Sequence, residues 1–297
     1  MKFDTKIAGV IVLYNPDMVE TLHNIKSCLP QVDKLFLIDN SDSPNASNFI
    51  NDLNDRKIHY YYNLFNQGIA NALNKGLQYA RDYNFDWLLL LDQDSTVPQG
   101  YIDVLKQYIF FNETEKIGIL APIIKWGKNI EFPRYVEKPQ RILTAITSGS
   151  LLNMAVANIV GDFEEFLFID WVDIDYSLKM GLKGYHIIQL PNIHLIHQLG
   201  DCKEIRFFKK HIAYIGHHSS IRKYYATRNI FYIIKKYREF YPHYCRIMKR
   251  TVFTNLLKIL FFENQKINKF RASFLGYIDF RKNIFGKISP VTLSKIN

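Results

Sequence analysis

A chain of 297 residues, 48% hydrophobic and 15% aromatic, holds enough apolar material for one large domain or a domain with an extension, which excludes extensive disorder. Its three cysteines, Cys28, Cys202 and Cys245, lie far apart with no Cys-x-x-Cys pair, which excludes a disulfide scaffold and a cysteine zinc site and fits a reducing compartment. The net charge of +10 is divided sharply: residues 1–202 carry 17 Lys and Arg against 24 Asp and Glu (−7), and residues 203–297 carry 21 against 4 (+17).

That division predicts two domains, 1–202 and a basic, mostly helical extension, 203–297, suited to polyanions. The opening Met1-Lys2-Phe3-Asp4-Thr5-Lys6 leads straight into a strand and has no signal-peptide pattern. Ile7 to Tyr14 is a β-branched apolar run, read as a buried strand. Asn15 as N-cap and Pro16 at the first helical position predict a helix carried on by Val19, Leu22, Ile25 and Leu29. Val32 to Ile38 is a second strand, ending in Asp39-Asn40-Ser41-Asp42, and Ile58 to Tyr62 is a third. Asn66-Gln67-Gly68 then opens a helix with Ile69, Ala72, Leu73, Gly76, Leu77 and Ala80 on one face. Trp87 to Leu91 is a strand buried on both faces, and Ile117 to Ile124 another.

Beyond these, Thr147 to Leu152 reads as a turn into a strand. A helix through Leu178 and Leu182 closes at Gly184, and short strands cover Tyr185 to Leu190 and Ile193 to Ile196. From Asp201 on the pattern is helical and basic. The longest charge-free run, Ile142 to Gly161, contains Thr144, Thr147, Ser148, Ser150, Asn153 and Asn158, too polar for a membrane span. Strands alternating with helices imply an α/β chain around a mostly parallel sheet.

Chemistry concentrates at strand ends. Leu88 to Leu91 runs into Asp92-Gln93-Asp94, two carboxylates spaced i, i+2 just past a buried strand. Such a pair calls for a positive partner, and a hard divalent cation, Mg²⁺ or Mn²⁺, would in turn hold a phosphate. The helix opened at Asn66 and Gly68 offers backbone N–H groups to phosphate. Asp170, Asp173 and Asp175 crowd within six residues.

Taken in order, Val10 to Pro16, Ile38-Asp39-Asn40-Ser41, Asn66 to Gly76, Leu91-Asp92-Gln93-Asp94, Thr147-Ser148-Gly149, Asp170 to Asp175, His197-Gln198-Leu199-Gly200-Asp201 and Tyr224 to Asn229 resemble the family 2 inverting glycosyltransferases of the GT-A fold, closest to bacterial rhamnosyltransferases. The resemblance implies a mixed, mostly parallel nucleotide-sugar-binding sheet. It implies that Asp92 and Asp94 hold Mn²⁺ or Mg²⁺ against the donor diphosphate, the second ligating directly, with His197 completing the site. Asp39 would contact a pyrimidine base, bordered by Tyr14 and Asn15, although Asn15 also reads as a helix cap. Asn66, Gly68, Asn71 and Gln93 fall in the donor region, and Ser148 in the acceptor region. Asp173 corresponds to the catalytic base. The family's usual Glu before it is Val172 here, so Asp175, otherwise on the acceptor side, stays open as the base.

The implied donor is a nucleotide-sugar, dTDP-rhamnose first and a UDP-hexose as the alternative. The implied acceptor is a lipid-linked glycan of bacterial surface polysaccharide, O-antigen or capsule, handled at the cytoplasmic face of the membrane. Residues 244–262 read as an amphipathic helix with Tyr244, Met248, Val252, Leu256 and Leu260 in one stripe and Arg246, Lys249, Arg250 and Lys258 off it. This suits peripheral contact with an anionic bilayer, or packing against the first domain. A sugar-phosphate nucleotidyltransferase would want a glycine-rich loop after the first strand, where Tyr14-Asn15-Pro16-Asp17 stands. Nucleic acid is not expected as a partner, since no base-reading motif accompanies the basic segment. A non-catalytic nucleotide-sugar or polyanion binder remains the reading of another class.

Overall fold

The computed structural model describes residues 5–44, 53, 55–126, 138–197, 202–207, 210–216 and 219–296; at 125–126, 196–197, 202–207 and 210–216 it describes backbone alone. The chain forms two compact units, 1–164 with 173–198, and 165–172 with 199–297.

In the first unit, β1 (Ile7–Leu13), β2 (Lys34–Asp39), β3 (Ile58–Tyr62) and β4 (Trp87–Asp92) pair in parallel in the order β3-β2-β1-β4. The sheet continues through β8 (Leu151–Asn153), antiparallel to β4, then β6 (Ile117–Trp126), β9 (His186–His197) and β5 (Ser95–Thr96). A short β7 (Gln140–Ile142) pairs with β9. This is the mixed α/β sheet of the GT-A fold expected from sequence. The two short strands expected at 185–196 are one strand, continuous through Pro191, with a register shift on its partner between Ala121 and Ile123.

Every residue of β1 is buried, because helices cover both faces. On one side α1 (Met18–Cys28) and α3 (Tyr101–Phe111) contribute Ile25, Cys28, Tyr101, Ile102 and Leu105 to a core with Ile11, Leu13, Leu37, Leu89 and Leu91. On the other lies α2 (Ile69–Asp82), whose Gly76 rides so close to β1 that a Cβ there would stand 2.6 Å from Val10 Cγ2. α4 (Met154–Val160) and α5 (Val172–Leu182) follow.

The helix expected to start at Asn15 starts at Met18. Asp17 caps it, accepting from the N–H groups of Val19 and Glu20, and Asn15 takes a left-handed backbone, φ 43°. In the second unit the expected helix after 203 is preceded by a hairpin, β10 (Cys202–Phe207) with β11 (Lys210–Gly216). Ile205 and Phe207 alternate with Glu204 and Arg206, a period of two that a helix would not use.

Helices α6 (Ser220–Tyr237), α7 (Pro242–Phe262), α8 (Lys266–Arg281) and α9 (Pro290–Leu293) complete this unit. Its core gathers Phe168, Tyr224, Tyr225, Ala272 and Ile296. Glu263, its side chain 1% exposed, joins the helices by accepting from Lys223 of α6 at 2.7 Å and Lys269 of α8 at 2.8 Å. Of the expected apolar stripe on α7, Met248 is buried and Val252 and Leu256 pack toward α6, whereas Leu260 is open to water. Among the described residues no helix is long and apolar enough to cross a membrane.

Candidate active site

The register of the parallel strands fixes the site. Leu13 pairs with Asp39 on one side of β1, and Val12 pairs with Asp92 on the other. Two carboxylate-bearing strand ends therefore flank the C-terminal end of β1, where the sheet order turns back on itself. Open α/β sheets take ligands at this position.

Asp39 is fully buried and ordered by two donors, the Ser41 N–H at 3.0 Å and the Tyr60 hydroxyl at 2.7 Å. Burial, reinforced by the hydrogen bond to Asp39, pushes the Tyr60 phenol well above its ordinary pKa, so it stays protonated and donates. Tyr14 is exposed, and its backbone exchanges two bonds with the Gln93 amide: N–H to Oε1 at 2.7 Å and Nε2 to the carbonyl at 3.2 Å. Gln93, expected at the donor, thus ties the ends of β1 and β4 together. Asn15 is not the cap; its N–H donates to Ser41 Oγ at 2.7 Å, which leaves its side chain beside the β1 terminus.

The loop into α2 is a lattice of amides. Asn63 Nδ2 donates to Asn40 Oδ1 at 3.0 Å and to Asn71 Oδ1 at 2.8 Å. Asn40 Nδ2 donates to Asn66 Oδ1 at 3.1 Å, which also accepts the Gly68 N–H at 2.9 Å. Asn66 and Asn71 therefore shape the helix entrance, and Gly68, at φ 92°, supplies the left-handed turn that starts it. Asn40 and Asn63 are both buried, and sequence alone does not mark either as a site residue: Asn40 falls in the Ile38–Ser41 motif and Asn63 in none.

Asp92 ends β4 and Asp94 occupies the turn into β5, both half-buried. The turn is braced by Asn24 of α1, which donates to the Gln93 carbonyl at 2.7 Å and accepts from Thr96 Oγ1 at 2.6 Å. Sequence reasoning passed over Asn24, which falls on a helix with no motif. Ser148, expected to line the acceptor region, is fully buried and shares a hydrogen bond with Ser95. Its position after a turn hid its partner across the sheet, and its place is behind the acidic turn.

The His197 backbone pairs with Ser95, next to Asp94; its side chain lies outside the described residues. Among the described residues no group of three metal-ligating side chains gathers. Two carboxylates spaced i, i+2 at a strand tip fit Mg²⁺ or Mn²⁺, hard cations that take one or two protein carboxylates and fill the rest of their shell with water and substrate phosphate.

Asp173 and Asp175 lie in the first turn of α5. Asp173 is half-buried and accepts the Ile174 N–H at 2.8 Å, whereas Asp175 is fully enclosed. The segment leading in is strained: Phe168, Asp170 and Trp171 all have left-handed backbones, φ 65°, 64° and 69°. Such positions cost about 1–3 kcal/mol each and persist only when held. Asn229 holds them, donating to the carbonyls of Leu167, Ile169 and Asp170 at 2.8, 2.8 and 3.0 Å. Arg228, fully buried, donates to the carbonyls of Phe166, Leu167 and Gly286, and Trp171 donates to the Ala226 carbonyl. Asp170 pairs with Arg222, so that carboxylate is engaged.

Residues 10–165, more than half of the chain and including Asp39, Asp92 and Asp94, match glycosyl transferase family 2. The chain belongs to glycosyl transferase family 2. This family 2 enzyme is 27% identical over 249 residues to the dTDP-rhamnosyl transferase RfbF of Shigella flexneri, across 78% of this chain and 81% of that protein. Its fold is similar to that of S. aureus TarS 1–349, with a TM-score of 0.59 and 12% identity over 93% of this chain and 81% of that one. It is also similar to GalNAc-T7 with UDP, GalNAc and Mn²⁺, with a TM-score of 0.60 and 14% identity over 81% of this chain; the match spans 49% of that chain. At these identities the two structures speak for the fold alone.

Proposed function

We propose that this transferase moves a sugar, rhamnose first, from a dTDP or UDP donor to a hydroxyl of a lipid-linked glycan in bacterial surface polysaccharide synthesis, with inversion at the anomeric carbon. The likeness to RfbF supports the donor; the acceptor class and a peripheral position at the cytoplasmic face of the membrane are part of the proposal. The observation that carries the reading is the register setting Asp39 and Asp92 on either side of the β1 terminus.

In this reading Asp39, enclosed and held by Ser41 and Tyr60, accepts the imide N–H of uracil or thymine after a local shift that uncovers one carboxylate oxygen, while Tyr60 fixes the other. Asn66, Gly68 and Asn71 shape the helix entrance that receives phosphate, and Asn15 and Tyr14 border the base. Asp92 and Asp94 would hold Mn²⁺ or Mg²⁺, and the family resemblance would add His197 as a further ligand. When bound, the cation neutralises charge on the departing diphosphate. Asp173 takes the proton of the acceptor hydroxyl as its oxygen bonds to the anomeric carbon; the bond from that carbon to the diphosphate oxygen breaks, and the nucleoside diphosphate leaves with the electron pair. Exposure favours Asp173 over the enclosed Asp175 as the base.

The test is a thermal-shift series of nucleoside diphosphates with and without Mn²⁺, paired with transfer from dTDP-rhamnose. A ligand held only by the native state raises its stability. dTDP with Mn²⁺ raises the midpoint in the parent and not in Asp92→Ala or Asp94→Ala. Asp173→Asn keeps that rise and loses transfer. No nucleotide response in the parent overturns the donor site. Response to UDP alone redirects the enzyme to a UDP-hexose. If Asp175→Asn rather than Asp173→Asn separates binding from transfer, the base is Asp175.

A further inference from the structure

Between α6, α7 and α8 lies a hollow of about 390 Å³ with an apolar floor of Phe231, Ile234, Tyr277 and Phe280. The floor is firm, since Phe231 packs on Tyr277 and Phe280 at ring distances of 4.8 and 5.7 Å. Lys235, Arg238, Lys249 and Arg281 stand around it, and among the described residues no carboxylate lines it. Arg238 lies 3.9 Å from Glu239 in an open, weak pair, and Arg281 donates to the Tyr277 hydroxyl.

Two of these cations continue stripes on the outer faces of the helices. On α7, Arg246, Arg250, Phe253, Leu257, Leu260 and Phe261 recur at helical spacing and are all exposed, with Lys249 one turn before Phe253. On α8, Ile267, Phe274 and Arg281 recur every seven residues, two turns apart, and are also exposed. On α7 the apolar residues adjoin the connection at 263–265 and the basic ones the hollow; on α8 Ile267 and Phe274 lie toward the connection with Lys266 and Arg271 exposed beside them, and Arg281 lies at the hollow. The exposure is large: Phe253 62%, Phe261 65%, Ile267 74% and Phe274 63%. Several large apolar groups this open to water on one helix pair mark an interaction surface.

Charge identifies the partner, because residues 203–297 carry +17 and a surface on which exposed basic and apolar side chains stand together matches the headgroups and acyl boundary of an anionic membrane leaflet. We propose that the α7–α8 hairpin docks on an anionic phospholipid bilayer, with the hollow taking a lipid phosphate and the apolar end entering the acyl boundary. From Lys249 to Phe261 the helix rises about 18 Å. Interfacial helices sink only about 5–10 Å, so the hairpin lies obliquely, with its connection lowest. The surface differs from the stripe read from sequence, much of which faces α6. It depends on none of the donor-site residues.

Flotation of the full chain with vesicles tests this. The protein floats with phosphatidylcholine mixed with phosphatidylglycerol and not with phosphatidylcholine alone. Lys249→Ala with Arg281→Ala weakens binding about thirtyfold, corresponding to about 1 kcal/mol for each basic side chain. Phe253→Ser with Phe261→Ser abolishes flotation, while the nucleotide-induced midpoint shift stays as in the parent. The unmutated chain gives a check that needs no variant, because added salt releases it from mixed vesicles. Equal binding to neutral vesicles, or binding indifferent to salt, overturns the proposal. So does full displacement by inorganic phosphate at an ionic strength where sodium chloride leaves the protein bound, which makes the hollow a free-phosphate site, or a dimer seen by light scattering that Phe261→Ser dissolves, which makes the surface a contact between copies.

Discussion

The Asp39–Tyr60 pair shows how one hydroxyl sets the readiness of a buried carboxylate. Tyr60→Phe removes a hydrogen bond to a charged group and is expected to destabilise the protein by about 1.5–3 kcal/mol, measured by urea unfolding. On the proposed donor site the same variant is expected to lower affinity for pyrimidine nucleotides, read by the nucleotide-induced midpoint shift, because the carboxylate loses its fixed orientation. Asn24→Ala frees both sides of the acidic turn and is expected to weaken metal-dependent nucleotide binding while leaving Asp92 and Asp94 in place. The positions of Asp39, Asp92 and Asp94 were legible because a strand end is a local fact, announced by the apolar run before it. Ser148 and Asn15 were harder to read: the partner of one lies 53 residues away, and the cap of the helix after the other is Asp17, two residues on.

The strained run from Phe168 to Trp171 depends on carbonyl bonds from Asn229 and Arg228 on α6. Asn229→Ala removes three of them at once. It is expected to lower the urea midpoint and to reduce transfer more than nucleotide binding, since the run leads directly into the helix carrying Asp173. α6 and α8 meet at Gly276, where a Cβ would collide with the Tyr224 carbonyl, a backbone group with no room to yield. Gly276→Ala is therefore expected to cost about 1–3 kcal/mol, read by thermal unfolding. Long periodic helices such as α2 were plain in the sequence. The hairpin before α6 was obscured by its basic composition, and the bond set of Asn229 joins segments about sixty residues apart, which no local pattern announces.

Charge is the property most unevenly distributed along this chain, and its segregation was readable by counting. What counting missed is the buried triad of Glu263, Lys223 and Lys269. Burial alone would raise the Glu263 carboxyl, but the hydrogen bonds from the two lysines outweigh it and leave it below its ordinary value. A lowered folded pKa gives stability that is complete above the unfolded value, about 4.3, and is lost as pH falls through the folded one. Acid melting of the parent should steepen below that pH, and Glu263→Gln should flatten the dependence while lowering stability at neutral pH, both followed by circular dichroism. The placement of residues 165–172 in the second unit also has a consequence for biogenesis. A ribosome releases these residues well before Asn229 and Arg228, which clamp them. On the proposed assignment the nascent chain thus emerges with Asp39, Asp92 and Asp94 in place and Asp173 following an unclamped run, and chains cut short before α6 are expected to bind donor yet stay inert.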